Sequence, residues 1–339
     1  MNDLHYAQYS NAVARLIPQL KGQSVAVLGH IRPDGDCIGS QVALCRLLRS
    51  QGVNAVAVNQ HAVPANLQTF VADTPFLGAD DTQDLRESFR IAVDCSAHNR
   101  IGPAFMDRFP TVDFCVDHHV SNTGFATENC IDPHASATAE ILTGIALDLQ
   151  LPIDAITAQA LYVGIATDTG QFRYAGTTER VFRFAAALVQ AGANANAAAH
   201  ALYEREREGR LRLLQHFLQT LQSHEGGRLM FGKISQAMFA QTGTQREDTE
   251  GFIDYARNID SVKIAALLEQ QKDGSVKGSL RSKSAAYKVD QLAARLNGGG
   301  HACAAGFHMP DAFDTFDSTF VQMVREHLAT LDLSEAPDA

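Results

Sequence analysis

Residues 29–40 read Gly-His-Ile-Arg-Pro-Asp-Gly-Asp-Cys-Ile-Gly-Ser and set one imidazole, His30, beside two carboxylates, Asp34 and Asp36. Imidazole and carboxylate together are common ligands for first-row divalent ions. Asp and Gly also make ordinary turns and helix caps, so the stretch alone leaves both readings open. Its flanks say where it sits. An apolar run at 25–28 precedes it, and Ile38, Val42, Cys45 and Leu48 follow near helical spacing until Gly52. The pattern predicts a strand, a tight turn and a helix. His30 then stands at a strand end and the two aspartates lie in the turn, separated by a glycine that lets the backbone fold tightly.

The same arrangement recurs. Apolar runs at 25–28, 55–58, 90–93 and 112–116 alternate with helical patterns, which predicts an α/β domain with a largely parallel sheet. Three of these strands run straight into polar residues: His30, Asp94, and Asp117-His118-His119. Ligands of open parallel sheets bind in the crevice at the carboxyl ends of the strands, so these side chains should converge. Helices are expected at 137–149 and 155–166, the second leading to Asp168 in Thr-Asp-Thr-Gly, and a helical pattern at 178–191 should close the domain. The eight residues His30, Asp34, Asp36, Asp94, Asp117, His118, His119 and Asp168 are about what a pair of metal ions needs. Asp94 is the expected bridge, because it stands alone on a strand between the other two ligand-bearing strands.

A chain of 339 residues is long for one core, and two domains are expected. Hydrophobic residues at 45% and charged residues at 19% describe an ordinary globular protein. No apolar run approaches a membrane span, and the start MNDLHYAQYS lacks signal-peptide character, so a cytoplasmic protein is expected. Six cysteines without a Cys-x-x-Cys pair read as free thiols of a reducing compartment, used mainly for packing. The net charge of −10 argues against a general binder of long nucleic acid, yet leaves room for short phosphate-bearing substrates.

The second half is again mixed, with strands expected at 228–234, 263–269 and 276–281 and helices at 248–259, 287–296 and 313–331. Between them and the first domain, the alternating charges at 204–208 read as the solvated face of a helical connector. Residues 263–295 hold seven Lys or Arg against three Asp or Glu, a local excess that can hold phosphates or be plain surface. Gly298, Gly299 and Gly300 exceed the single glycine that ends a helix. They point to close approach of the backbone to a ligand, with His301 beside it.

Together these motifs resemble the DHH phosphoesterase superfamily, named for a triplet that stands here as Asp117-His118-His119. The His-x-x-x-Asp-x-Asp motif runs from His30 to Asp36, the lone aspartate is Asp94 in Ala-Val-Asp-Cys-Ser, and Asp168 lies in Gly-Ile-Ala-Thr-Asp-Thr-Gly. Gly298-Gly-Gly-His301 with Ala-Ala-Gly resembles the DHHA1 domain of one branch. Within that branch the length is similar to the NrnA-type nanoRNases, or oligoribonucleases, that also dephosphorylate 3′-phosphoadenosine 5′-phosphate (pAp).

The resemblance implies an N-terminal parallel-sheet DHH domain at 1–188, a helical linker at 189–212 and a smaller C-terminal α/β DHHA1 domain at 213–335. It assigns His30, Asp34 and Asp94 to one metal, and Asp36, Asp94, His118 and Asp168 to the other. The ions would be Mn²⁺, with Mg²⁺ as the alternative, lowering the pKa of a water and neutralising phosphate oxygens during in-line attack. Asp117 and His119 would support the site or act beside the reacting phosphate. Arg281 would grip phosphate, and Gly298 to His301 would take the other end of a substrate lying between the domains. The implied partners are short single-stranded RNA, dinucleotides such as pGpG and pApA, and pAp, without long duplex or membrane; a homodimer is left open. Two alternatives stand beside this reading: a pyrophosphatase or exopolyphosphatase of the same superfamily, and a non-catalytic nucleotide or RNA sensor.

Overall fold

Short Val, Ala and Ile runs separated by helical segments build the first half of the chain. Its elements are α1 (Ala7–Leu20), β1 (Ser24–Leu28), α2 (Gly35–Ser50), β2 (Asn54–Val58), β3 (Phe76–Leu77), β4 (Phe89–Val93), α3 (Pro103–Met106), β5 (Phe114–Asp117), β6 (Glu128–Ile131), α4 (Thr138–Asp148), α5 (Ala155–Asp168), α6 (Glu179–Gln190) and α7 (Ala195–Tyr203). The computed structural model describes residues 5–310 and 313–331, so the opening Met1–Leu4 and the expected domain end at 335 lie outside the described residues. The six strands form one parallel sheet in the order β3-β2-β1-β4-β5-β6. Strands β1 and β5 are buried along almost their whole length, as parallel strands covered on both faces by helices must be.

The strand order reverses between β1 and β4, which makes their carboxyl ends the switch point of the sheet. Leu28 pairs with Ala92, and Val93 pairs with Val116. That register brings the residues following all three strands to one rim.

Helices α2 and α5 pack closely enough that side chains would intrude. A Cβ on Gly39 would lie 2.3 Å from the carbonyl oxygen of Ala160, and one on Gly164 would lie 2.8 Å from Asp36 Oδ1. Without Cβ atoms at these points the helices close up, which carries Asp36 on α2 toward the α5 end that bears Asp168. Helix α1 is an addition to the expected elements. It buries Val13, Leu16, Ile17 and Leu20, and Asp148 at the end of α4 accepts hydrogen bonds from the backbone of His5 and Tyr6, each at 2.8 Å.

The chain divides into two units between Arg205 and Glu206. The second contains α8 (Glu208–Gln219), β7 (Gln222–His224), β8 (Leu229–Ile234), α9 (Gln236–Thr242), α10 (Phe252–Arg257), β9 (Ile264–Gln270), β10 (Val276–Ser282), α11 (Val289–Ala294), β11 (Gly299–His301), β12 (Ala304–Met309) and α12 (Phe316–Thr330). Its sheet runs β11-β12-β10-β9-β8-β7, with β8 and β9 parallel and the other pairs antiparallel. Phe231, Leu268, Leu280 and Phe320 are fully buried in its main core.

Three expectations need correction here. Residues 204–207 are not helical and interrupt the chain between α7 and α8, so the alternating charges are no continuous helix face. The helix expected at 248–259 is split into a 3-10 turn, Arg246–Thr249, and the short α10, because Gly251 between them takes a left-handed φ of 77°. The glycine stretch is an edge strand, and two of its glycines make room for their own chain. A Cβ on Gly298 would lie 2.1 Å from Gly306 O, and one on Gly300 would lie 2.5 Å from Ala304 O. Among the described residues no helix is long and apolar enough to cross a membrane.

Candidate metal centre

The rim of the first sheet carries the site. His30 follows β1 with Nδ1 2.9 Å from Ile31 O, a contact that fixes the ring and aims Nε2 at Asp34 (3.8 Å) and Asp94 (3.4 Å). Asp34 caps α2, its Oδ1 accepting from the backbone of Asp36 and Cys37 at 3.1 Å each.

Asp94 follows β4 with a φ of 54°, an uncommon conformation for a residue other than glycine. Its amide donates to Val116 O at 3.0 Å, which ties the turn to β5. The consequence is a carboxylate, 2% exposed, that faces two ways. Oδ2 lies toward His30, while Oδ1 lies 3.5 Å from His118 Nε2 and 3.6 Å from His119 Nδ1.

Asp36 is fully buried and is met by the start of α4. The amides of Thr138 and Ala139 donate to its two oxygens at 2.6 and 2.9 Å, and Ser40 Oγ adds a bond at 3.3 Å. The N-terminal end of a helix is a natural place for such a charge. His118 Nδ1 lies 3.3 Å from Ala135 O, and its Nε2 faces Asp168 Oδ2 at 3.1 Å and Asp36 Oδ2 at 3.9 Å. His119 Nδ1 lies 2.8 Å from Asp117 Oδ1, and Asn122 donates to Asp117 Oδ2 at 2.7 Å.

The charges are crowded. Burial, with the neighbouring Asp94 and Asp168, pushes the Asp36 carboxyl well above its usual range. Burial also raises Asp168, again with Asp94 nearby, although His118 works against it. Burial disfavours the charged form of His118, but its bond to Asp168 and the other carboxylates outweigh this and raise its pKa to about 10. His119 is raised first of all by its bond to Asp117. Carboxylates that repel one another unless a proton or cation intervenes, beside imidazoles able to donate a lone pair, form a donor set that fits divalent metal.

Ligand atoms lie within 4.8 Å of one another in three overlapping groups: His30, Cys37 and Asp94; Asp94, His118 and His119; Asp36, His118 and Asp168. All eight rim residues named from the sequence therefore gather at one end of the sheet. Three participants were missed. Cys37, read as a packing residue, brings its thiol beside His30 and Asp94, with burial raising its pKa to about 11. Thr138 donates to Asp94 Oδ1 at 3.1 Å, and Asn122 orients Asp117. The helix start at 138 was legible as a boundary, but nothing in its spacing says that it faces a carboxylate over 40 residues away.

Arg281 and His301 belong to the second unit. Arg281 on β10 and His301 on β11 both pair with Ala304 of the intervening β12, which puts them on one face of the sheet with a methyl group between. Gly299 is exposed, and a Cβ there would meet nothing within 4 Å.

Two family models match the chain: DHH family, N-terminal domain, over residues 24–165, and DHHA1 domain over residues 231–326. The bifunctional oligoribonuclease and PAP phosphatase NrnA of Thermus thermophilus is 28% identical over 326 residues, 95% of each chain. The protein of the same name from Bacillus subtilis is 25% identical over 307 residues, 88% of this chain and 94% of the relative. In fold, the chain is similar to the crystal structure of an exopolyphosphatase-related protein from Bacteroides fragilis, with a TM-score of 0.84 and 23% identity over 96% of this chain and 98% of that one. With a DHH domain followed by a DHHA1 domain and relatives aligned along nearly its whole length, the chain belongs to the DHH/DHHA1 phosphoesterases.

Proposed function

We propose that this phosphoesterase hydrolyses short RNA oligonucleotides, dinucleotides included, to mononucleotides, and pAp to AMP, at a centre of two divalent ions. The observation that carries the reading is the two-way carboxylate of Asp94, with one oxygen 3.4 Å from His30 and the other 3.5 Å from His118. A bridging ligand needs this division. Around it, His30 with Asp34 would hold one ion, and Asp36, His118 and Asp168 the other. When bound, the ions would neutralise phosphate charge and lower the pKa of a water. Ligation by nitrogen and oxygen favours Mn²⁺ over Mg²⁺.

The chain's own residues supply the rest. His119 Nδ1 is engaged by Asp117, so Nε2 is the nitrogen left to meet substrate; the bond to Asp117 favours the protonated ring, which would let Nε2 hydrogen-bond the phosphate or assist the leaving oxygen. Arg281 can take a terminal phosphate through two parallel hydrogen bonds. His301 on the same sheet face and the open backbone at Gly299 would contact the remainder of the substrate. The names of the relatives support the substrate class, and six free cysteines accord with a cytoplasmic setting.

The test is a substrate panel run with Mn²⁺, with Mg²⁺ and after chelation, from pAp through dinucleotides to longer RNA, with pyrophosphate included. Highest kcat/KM on pAp or dinucleotides, lost on chelation and best restored by Mn²⁺, is the expected result. Preference for pyrophosphate, or full activity after exhaustive chelation, would overturn it.

A further inference from the structure

The turn after Asp168 is built in an unusual way. Gly170, Gln171 and Phe172 take φ values of 55°, 61° and 61° in succession. Left-handed residues normally occur singly, and two of these three carry side chains. Such a run persists only where its surroundings over-determine it. Here Thr169, 1% exposed, is the anchor on one side: its carbonyl accepts from the amides of Arg173 (2.9 Å) and Tyr174 (3.0 Å), and its hydroxyl from that of Phe172 (3.1 Å). On the other side the Phe172 ring stacks on Phe182 at 5.6 Å and meets Tyr162 at 6.0 Å.

What the turn presents is an aromatic ring. Tyr174 is 60% exposed. It lies across Gly170, where an added Cβ would come within 2.3, 2.5 and 2.6 Å of three of its ring atoms. Gly170 is two residues past Asp168, a reach of at most about 7 Å between Cα atoms. Arg173 is pinned to the same turn, with Nε donating to Gly170 O at 2.7 Å. An exposed ring with a guanidinium beside it, held by strained backbone next to the metal centre, has the chemistry of a platform for single-stranded nucleic acid. Aromatic faces accept any base, and the arginine suits the adjoining phosphate.

We propose that Tyr174 is a stacking residue for one base of the RNA substrate, positioned beside the metal centre by the left-handed turn that follows Asp168. The proposal rests on the oligoribonucleotide reading above and adds a residue that selects nucleotides over plain phosphoesters. Stacking on any base predicts cleavage without sequence preference.

Tyr174→Ala and Tyr174→Phe test it in two measurements. In the first, kcat/KM is compared on an RNA dinucleotide and on the two dinucleotides lacking one base or the other. Tyr174→Ala should lose about tenfold on the intact dinucleotide, chiefly through KM, with Tyr174→Phe near the parent. On one of the abasic substrates the Ala variant and the parent should match. In the second, metal-free protein binds a dinucleotide carrying 2-aminopurine. The chain has no tryptophan, so the probe's fluorescence is read without interference, and the parent and Phe variant should quench it where the Ala variant does not. A parent that quenches the probe but does not cleave dinucleotides would sustain the stacking role and reject the oligoribonuclease reading. Cleavage and quenching both unchanged in Tyr174→Ala, or a loss that persists on both abasic substrates, would overturn the stacking role alone.

Discussion

Thr138 Oγ1 donates a 3.1 Å hydrogen bond to Asp94 Oδ1, the oxygen that faces His118. Thr138 is fully buried at the first position of α4, and its amide serves Asp36 at 2.6 Å. One residue thus orients two carboxylates of the centre. Groups that hold metal ligands in place commonly matter 10–100-fold in affinity. Thr138→Val keeps the amide and the side-chain shape and removes the hydroxyl. We expect Mn²⁺ affinity, measured by calorimetry, to fall by roughly tenfold or more, and Thr138→Ser to restore it. Unchanged affinity in the Val variant would mean that Asp94 needs no such support.

Asp94 itself gives a sharper test. Because its φ of 54° suits Asn better than Ala, Asp94→Asn is the cleaner removal of charge, with Asp94→Ala as its companion. Both should fold and both should lose turnover, since withdrawing the proposed bridge would disable both ions. Removing one carboxylate from a crowded group also relieves repulsion, so neither metal-free variant should melt much below the metal-free parent. Near-normal turnover by a folded variant with metal present would show that the bridge is elsewhere.

Much of this centre was legible in the sequence because each element of it ends a strand or helix with a strong apolar pattern. β1, β4 and β5 announce themselves as short apolar runs, and a parallel sheet then leaves one rim for His30, Asp94 and the Asp117–His119 triplet. The less legible parts lack such a pattern. β3 has two residues and β6, Glu-Asn-Cys-Ile, alternates too briefly to register. β11 consists of Gly-Gly-His, with no side chain to report a strand, so its glycines were read as ligand-facing although Gly298 and Gly300 serve the chain's own pairing. Helix α1 did carry helical spacing at Val13, Leu16, Ile17 and Leu20. Cys37 and Thr138 illustrate a different limit: a thiol or hydroxyl gains its role from what faces it, and that depends on the α2–α5 packing and on where α4 begins.

A pH dependence follows from the far end of α5. Asp154 caps that helix, accepting from the Thr157 amide at 2.8 Å, and pairs with Arg46 Nη2 at 2.5 Å. The Arg46 bond holds the Asp154 carboxyl down, from 3.8 to about 2. A carboxyl depressed in the folded state stabilises fully above its unfolded value and loses that contribution as pH falls, here between about 4 and 2. Asp154→Asn keeps a good cap and removes the charge. Since the side chain is 54% exposed, the variant should be weaker by under about 1 kcal/mol at neutral pH, less so in high salt. Urea melts should show the deficit shrinking below pH 4. A deficit that stays constant down to pH 2 would mean that the pair contributes nothing.

The second unit is tested through Arg281 and Gly299. Register puts Arg281 and His301 on one face, separated by Ala304, and Gly299 lies two residues before His301 on the edge strand. If this face grips the non-reacting end of the substrate, Arg281→Ala should weaken kcat/KM on dinucleotides and pAp by about 2 kcal/mol, the scale of a lost charge-assisted contact. A small generic phosphodiester should be hydrolysed as by the parent, since it has no end to grip. The glycines separate ligand contact from fold. Gly298 and Gly300 have no room for a Cβ, and changing them would damage the strand whatever the substrate does. Gly299 has open space around it and no left-handed φ, so Gly299→Val should melt with the parent. Any loss it causes on dinucleotides then reflects blocked approach of the ligand. Comparing kcat/KM on both substrate types separates the outcomes. Equal losses on both would mean that this face supports the metal centre, and parity with the parent on both would leave the second unit without a part in substrate binding.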